Sequence, residues 1–246
     1  MTQALKIGAL GGLVGAVVAL AAALGAAHMG WLPATNNAAI HDYLMAHPEV
    51  LAEANNKLQD MQDAADDAAR QSAVDKIGLK RFFDPRLAFV VGPANARTTI
   101  VEFFDYNCPY CRASAPAVRK LYEAHGNVRF ALIEFPIKGP QSTLAARAAL
   151  AARKQQPDKY LAFHFALMSE RSIVDENIVY ADAQKVGLDV DRLKVDMRSP
   201  DVDYAIAAAH NLAQAVGIDG TPAFIIDGSM REGALDEATL HQLTKG

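Results

Sequence analysis

Only two cysteines occur in the 246-residue chain, and they stand two residues apart as Cys108-Pro109-Tyr110-Cys111. A dithiol at this spacing can alternate between a disulfide and two thiols, exchanging an electron pair with a partner thiol. One sulfur must then react as thiolate, so its surroundings have to lower its pKa. A structural disulfide is a poor explanation, because the loop it would close is too short to restrain the unfolded chain much. Half of a zinc site would need two more ligands; no cysteine remains, and the seven histidines show no paired spacing. A Cu(I) ion held by Cys108 and Cys111 is the harder rival to exclude, since soft thiolates suit that ion.

The flanking residues indicate how the pair is positioned. Residues 99 to 104 are β-branched or aromatic except for one acid, the pattern of a buried strand. Downstream, Ala113, Ala117, Val118, Leu121 and Tyr122 recur at helical spacing, with Gly126 and Asn127 as a stop. Cys108 therefore falls where a strand turns into a helix. There, unpaired N–H groups and the helix dipole favour an anion, and so a thiolate. Pro109 suits the first helical turn, where its missing N–H would have had no partner. Cys111 falls one turn on, on the same face, placed to resolve a mixed disulfide. In the strand, Ile100, Glu102 and Phe104 share a face. At an exposed edge Glu102 would be an ordinary solvated acid; buried, it would have a raised pKa and could exchange a proton with the dithiol.

Composition bounds the class. A hydrophobic content of 51% indicates a globular protein with a substantial core, and a net charge of −4 leaves no basic footprint for nucleic acid. With both cysteines in one motif, a disulfide-stapled scaffold is excluded. Residues 7 to 27 are uncharged and almost wholly Gly, Ala, Val and Leu, long enough to cross a bilayer. Residues 1 to 30 are thus expected to be an uncleaved anchor contacting the inner membrane, or a signal peptide cleaved near the small residues 21 to 27. In either case Lys6 holds the N-terminus in the cytoplasm and the remainder is exported to the oxidising side.

Residues 31 to 86 are expected to form a helical stalk, with helices over 39–46 and 48–79. In the longer one, Leu51, Ala54, Leu58, Met61, Ala65, Ala68 and Ser72 trace a thin a/d seam, which predicts a homo-oligomer through residues 36–79. A helix packed on its own catalytic domain, or a solvated linker, is the alternative. Residues 87 to 246 predict strands at 87–91, 99–104 and 128–135, four helices between 142 and 216, strands at 223–227 and 229–232, and a closing helix at 236–243. That order describes a mixed α/β domain with a helical insertion over about residues 140–216.

Residues 87 to 246 resemble the DsbA-like thioredoxin-fold thiol-disulfide oxidoreductases. The likeness rests on the passage from Glu102 to Cys111, on Pro116 inside the first helix, and on Thr221-Pro222 in its glycine-flanked context between Gly217 and Phe224. Residues 39 to 51 are similar to the N-terminal helix of the subgroup containing the suppressor-of-copper-sensitivity protein C and Com1-type proteins. The resemblance implies a thioredoxin fold and a cis peptide before Pro222. Thr221 and Pro222 would then bind an extended substrate segment as an added strand. It implies a periplasmic enzyme on exported proteins, without a cofactor, whose dithiol is reset by a membrane redox partner. Cys108 would be an exposed attacking thiolate, Cys111 the resolving thiol and Glu102 its proton relay. Thr221 is more like the isomerases than the oxidase; a monomeric oxidase and a Cu(I)-handling protein are the alternatives.

Overall fold

The computed structural model describes residues 37–123 and 127–243. The expected anchor or signal segment, residues 1–30, lies outside them, as does Gly126. Among the described residues no helix is long and apolar enough to cross a membrane. The chain divides into two compact units, between Asp63 and Ala64.

In the first unit, helix α1 (Asn37–Ala46) buries no residue. Helix α2 (Glu49–Ile77) follows, and its only buried residue is Val74, beyond the division. Ile40, Tyr43, Met45, Leu51, Leu58 and Met61 are all exposed.

The second unit is built on a five-stranded sheet in the order β1-β3-β2-β4-β5. The strands are β1 (Phe89–Val91), β2 (Thr98–Phe104), β3 (Val128–Glu134), β4 (Ala223–Ile226) and β5 (Ser229–Glu232). Only the β2–β3 pair is parallel, and helix α3 (Pro109–Glu123) makes its crossover. Because β2 is central, its run is buried on both faces, all but Thr99. On one face Val101 and Phe103 join Ala131, Ile133 and Ile225 in a core closed by Val74, Phe82, Leu212 and Val216. On the other, Ile100, Phe130 and Phe224 pack on Ala117 and Val118 of α3 and on Leu240 of the last helix, α9 (Glu237–Leu243).

Between β3 and β4 are inserted five helices: α4 (Pro140–Gln155), α5 (Pro157–Ser169), α6 (Glu176–Lys185), α7 (Val190–Asp196) and α8 (Pro200–Ala215). The alanines of α4 are a packing device. Ala145, Ala146, Ala148, Ala149, Ala151 and Ala152 are all buried, so neighbours approach this helix from several sides. Prolines stand in the first turn of α4, α5 and α8, and Asp175, Asp189 and Asp236 accept backbone N–H groups at the starts of α6, α7 and α9.

Two features depart from the expected organisation. The compact unit begins well before residue 87: the last turns of α2 and a 3-10 turn over Leu79–Phe83 supply Val74 and Phe82 to its core. Arg70 pairs with Glu232 at 3.1 Å, and Gln71 donates to the Gly228 carbonyl at 2.8 Å. Residues 64 to 86 are therefore part of the sheet domain rather than the end of a stalk. Helix α7, too short to show a periodicity of its own, was not among the expected elements.

Candidate functional site

The strand-to-helix passage carries the dithiol. Helix α3 starts at Pro109, so Cys108 stands just before it and Cys111 lies in its first turn. Pro116 lies inside the same helix. Asp105 fixes the intervening turn. Its carboxylate accepts from Asn107 N at 2.7 Å, Ser142 Oγ at 2.7 Å, Ile137 N at 2.7 Å and Lys138 N at 2.8 Å. Its own N–H donates to Cys111 Sγ at 3.5 Å. The turn is thus tied both to the loop leaving β3 and to α4.

Thr221 and Pro222, at the entrance to β4, come to the same place. The peptide between them is cis. The Cys108 thiol donates to the Thr221 carbonyl oxygen at 3.1 Å. The Thr221 hydroxyl oxygen is buried, with no hydrogen-bond partner among the described residues. Both cysteines are free and buried. Cys108, expected to be exposed, is 1% exposed, because the Thr221 loop and the aromatic core around Phe104 and Tyr106 close over it. Tyr110, between the cysteines, is 64% exposed.

Electrostatics separate the two sulfurs. A hydrogen bond from Cys111 is the largest influence on Cys108; with the Thr221 side chain and the N–H groups of Cys111 and Tyr110, it lowers the Cys108 pKa to about 5 against the opposing effect of burial. Burial pushes the Cys111 thiol well above the ordinary range, and its hydrogen bond to Cys108 and the Glu102 charge push it the same way. Glu102 is interior rather than at an edge. It pairs with Leu132 on one side and Phe224 on the other, is 3% exposed, and has its pKa raised to about 8 by burial.

Several buried polar groups beside the dithiol were not anticipated. Glu134 Oε1 accepts from the Tyr106 and Tyr160 hydroxyls, both at 3.0 Å, and burial raises the Glu134 pKa to about 8. His164 Nδ1 lies 3.1 Å from the Tyr106 hydroxyl, and burial lowers its pKa to about 3. Asn107 exchanges two hydrogen bonds with the backbone of Val174, which holds the α5–α6 connection against the active-site turn. The available signal was faint: an acid closing an otherwise apolar strand at Glu134, and another directly after β2 at Asp105.

A mixed sheet with an inserted helical bundle, bearing two cysteines around a helix start beside a cis-proline loop, defines the class of thioredoxin-fold thiol-disulfide oxidoreductases. Residues 99–245 match the DSBA-like thioredoxin domain, and the chain belongs to that family. Residues 37–65 match the N-terminal domain of the copper resistance protein ScsC, which places the chain in the ScsC/DsbA-type subgroup.

Solved structures agree. A thioredoxin-like oxidoreductase from Silicibacter pomeroyi is 44% identical with a TM-score of 0.61, over 66% of this chain and 92% of its own. A linker-deletion mutant of Proteus mirabilis ScsC is 27% identical with a TM-score of 0.65, over 85% of this chain and 91% of its own. Among curated relatives, a probable disulfide bond formation protein D of Bacillus cereus is 27% identical over 57% of this chain and 70% of its own length. The Na(+)/H(+) antiporter NhaA 3 of Salinispora tropica is 30% identical over 61% of this chain, which spans only 23% of that much longer protein.

Proposed function

We propose that the chain is a periplasmic thiol-disulfide oxidoreductase that forms or rearranges disulfides in exported proteins, with Cys108 as the attacking thiolate. The observation that carries this is the asymmetry of the pair: a lowered pKa for Cys108 beside Thr221, a raised one for Cys111 behind it. In oxidation, a substrate thiolate attacks Cys108 of the Cys108–Cys111 disulfide, and Cys111 leaves and takes up a proton, which Glu102 supplies. A second substrate thiolate then attacks the substrate sulfur of the mixed disulfide and releases the Cys108 thiolate. The substrate has lost two electrons, which the dithiol has gained; of the two protons its thiols gave up on ionising, one is matched by the proton on Cys111, with Glu102 reprotonated from solvent, and the other stays in solvent while Cys108 remains a thiolate. In isomerisation the Cys108 thiolate attacks a substrate disulfide and is released after rearrangement, with no net electron transfer.

Because Cys108 is covered at rest, a substrate has to displace part of the Thr221 loop's contact to reach it. The Thr221 backbone would pair with an extended segment there. A membrane redox partner would reset the dithiol, and the apolar segment 7–27 would anchor the chain or direct its export. Self-association is supported by the exposed Leu51, Leu58 and Met61, which occupy seam positions of α2. A second copy covering this seam favours the isomerase reading, since several dithiols would then face one misfolded substrate.

Trapping tests the central role. Cys111→Ala should accumulate mixed disulfides with exported proteins, visible on non-reducing gels and absent from the Cys108→Ser variant; trapping through Cys111 in the absence of Cys108 would contradict it. The copper-resistance name of the matched N-terminal domain keeps a second reading in view. Cu(I) bound by both cysteines, tightly enough to withstand a Cu(I) chelator, would support it.

A further inference from the structure

A groove of about 540 Å³ opens beside the dithiol, between the first turns of α3 and the end of α5. Its volume falls within the range of sites that enclose several side-chain-sized groups. Pro109, adjoining Cys108, begins it; Pro116, Phe165 and Met168 give it an apolar lining. The opposite bank is the α5–α6 connection, which Asn107 holds to the active-site turn through its paired bonds to Val174. Ile173, next to that tie, is 66% exposed. The wall is therefore anchored at the residue preceding Cys108.

The charges on the groove are unequal. Arg112 donates to the Tyr106 carbonyl at 2.7 Å and to Asn107 Oδ1 at 3.0 Å, both neutral acceptors, and forms no ion pair among the described residues. Arg171 forms no ion pair among the described residues, and Arg119 is matched by Glu123 at 2.7 Å. Glu170 is the one acid on the rim. The N-terminus of α3 adds its positive end in the same place. In a chain of net charge −4, this is a locally positive rim around an apolar floor.

We propose that this groove binds the substrate segment flanking the reacting cysteine, and that it selects segments carrying an apolar residue and a carboxylate. The proposal rests on the oxidoreductase reading above and extends it to substrate choice. Arg112, held by its two hydrogen bonds one turn from Cys108, and Arg171 on the opposite bank together attract that one carboxylate. The apolar side chain packs on the exposed Pro116, above the buried Phe165 and Met168.

The test uses the reduced full chain and three peptides that differ only in carrying Glu, Gln or Lys beside a single cysteine, each linked through a disulfide to nitrothiobenzoate. Attack of the Cys108 thiolate on the peptide sulfur releases the coloured thiolate, and Cys111 then frees the peptide thiol and leaves the protein disulfide. The Glu peptide is expected to react about tenfold faster than the Lys peptide at low salt, with the ratio shrinking toward one in molar salt. In Arg171→Glu the ratio should fall severalfold or invert. Equal rates for the three peptides, or a ratio untouched by Arg171→Glu, would overturn the groove assignment while leaving the oxidoreductase reading intact. No release from any peptide would overturn both.

Discussion

At the scale of single residues, the Thr221 hydroxyl ties the resting structure to the chemistry. Buried and without a partner in the resting structure, its side chain nonetheless acts to lower the Cys108 pKa, as a hydroxyl able to donate to the sulfur does by favouring the charged state. Thr221→Val should raise the Cys108 pKa by about one unit, read from the thiolate absorbance of the reduced protein as pH is raised. An unchanged titration would remove Thr221 from the account.

The sign of the stability effect follows from the same shift. A thiol whose folded pKa is depressed stabilises the fold fully above its unfolded pKa, and that contribution is lost as pH falls through the folded value. Reduced protein should therefore lose urea resistance relative to Cys108→Ala as pH is lowered from 8 to about 5. Glu102 has the opposite sign. Raised to about 8, it is accommodated in its neutral form, and its burial costs stability as pH rises from its ordinary range through that value. Glu102→Gln should be more stable than the parent at pH 8, on the order of 2 kcal/mol, with little difference at pH 5. It should also slow resolution of mixed disulfides by Cys111, about a hundredfold where proton transfer limits the step.

At the scale of elements, the end of α2 and the Leu79–Phe83 turn behave as core, not connection. Phe82, packed edge-on to Phe103 with ring centroids 6.2 Å apart, closes one face of the sheet. Phe82→Ala should cost about 3–5 kcal/mol in urea unfolding of the domain, whereas Leu51→Ala, on the exposed seam, should cost little in a monomer. This boundary was not legible in the sequence, because the a/d seam of α2 runs on without interruption to Ser72 while its partners lie far away at Gly228 and Glu232. Strand β2 and the dithiol were legible for the converse reason: a buried central strand has to be apolar on both faces, and both cysteines share one motif. Glu134 lay between these cases. Its acid was visible, but the Tyr106 and Tyr160 hydroxyls that hold it come from 28 and 26 residues away.

At the scale of the whole molecule, the question is whether the exposed apolar residues of the first unit meet a second copy. Since residues 64–86 belong to the sheet domain, deleting 36–79 would damage that fold; the clean test is Leu58→Glu with Met61→Glu, both exposed. Sedimentation should show a mass that falls to that of one chain, and an unchanged mass would leave α2 without this role. If the isomerase reading holds, the same variant should keep its oxidation of a simple dithiol peptide and lose much of its activity on proteins with several wrong disulfides.

The most direct measurement is the reactivation of scrambled, fully oxidised ribonuclease by the chain in a glutathione buffer, in parallel with oxidation of reduced ribonuclease. The account predicts activity in at least one of the two assays, abolished by Cys108→Ser, with reactivation of the scrambled form depending on Leu58 and Met61. Oxidation without reactivation would make it a disulfide oxidase. Turnover that survives Cys108→Ser, or inactivity in both assays, would contradict the assignment of the dithiol as a protein-directed redox centre.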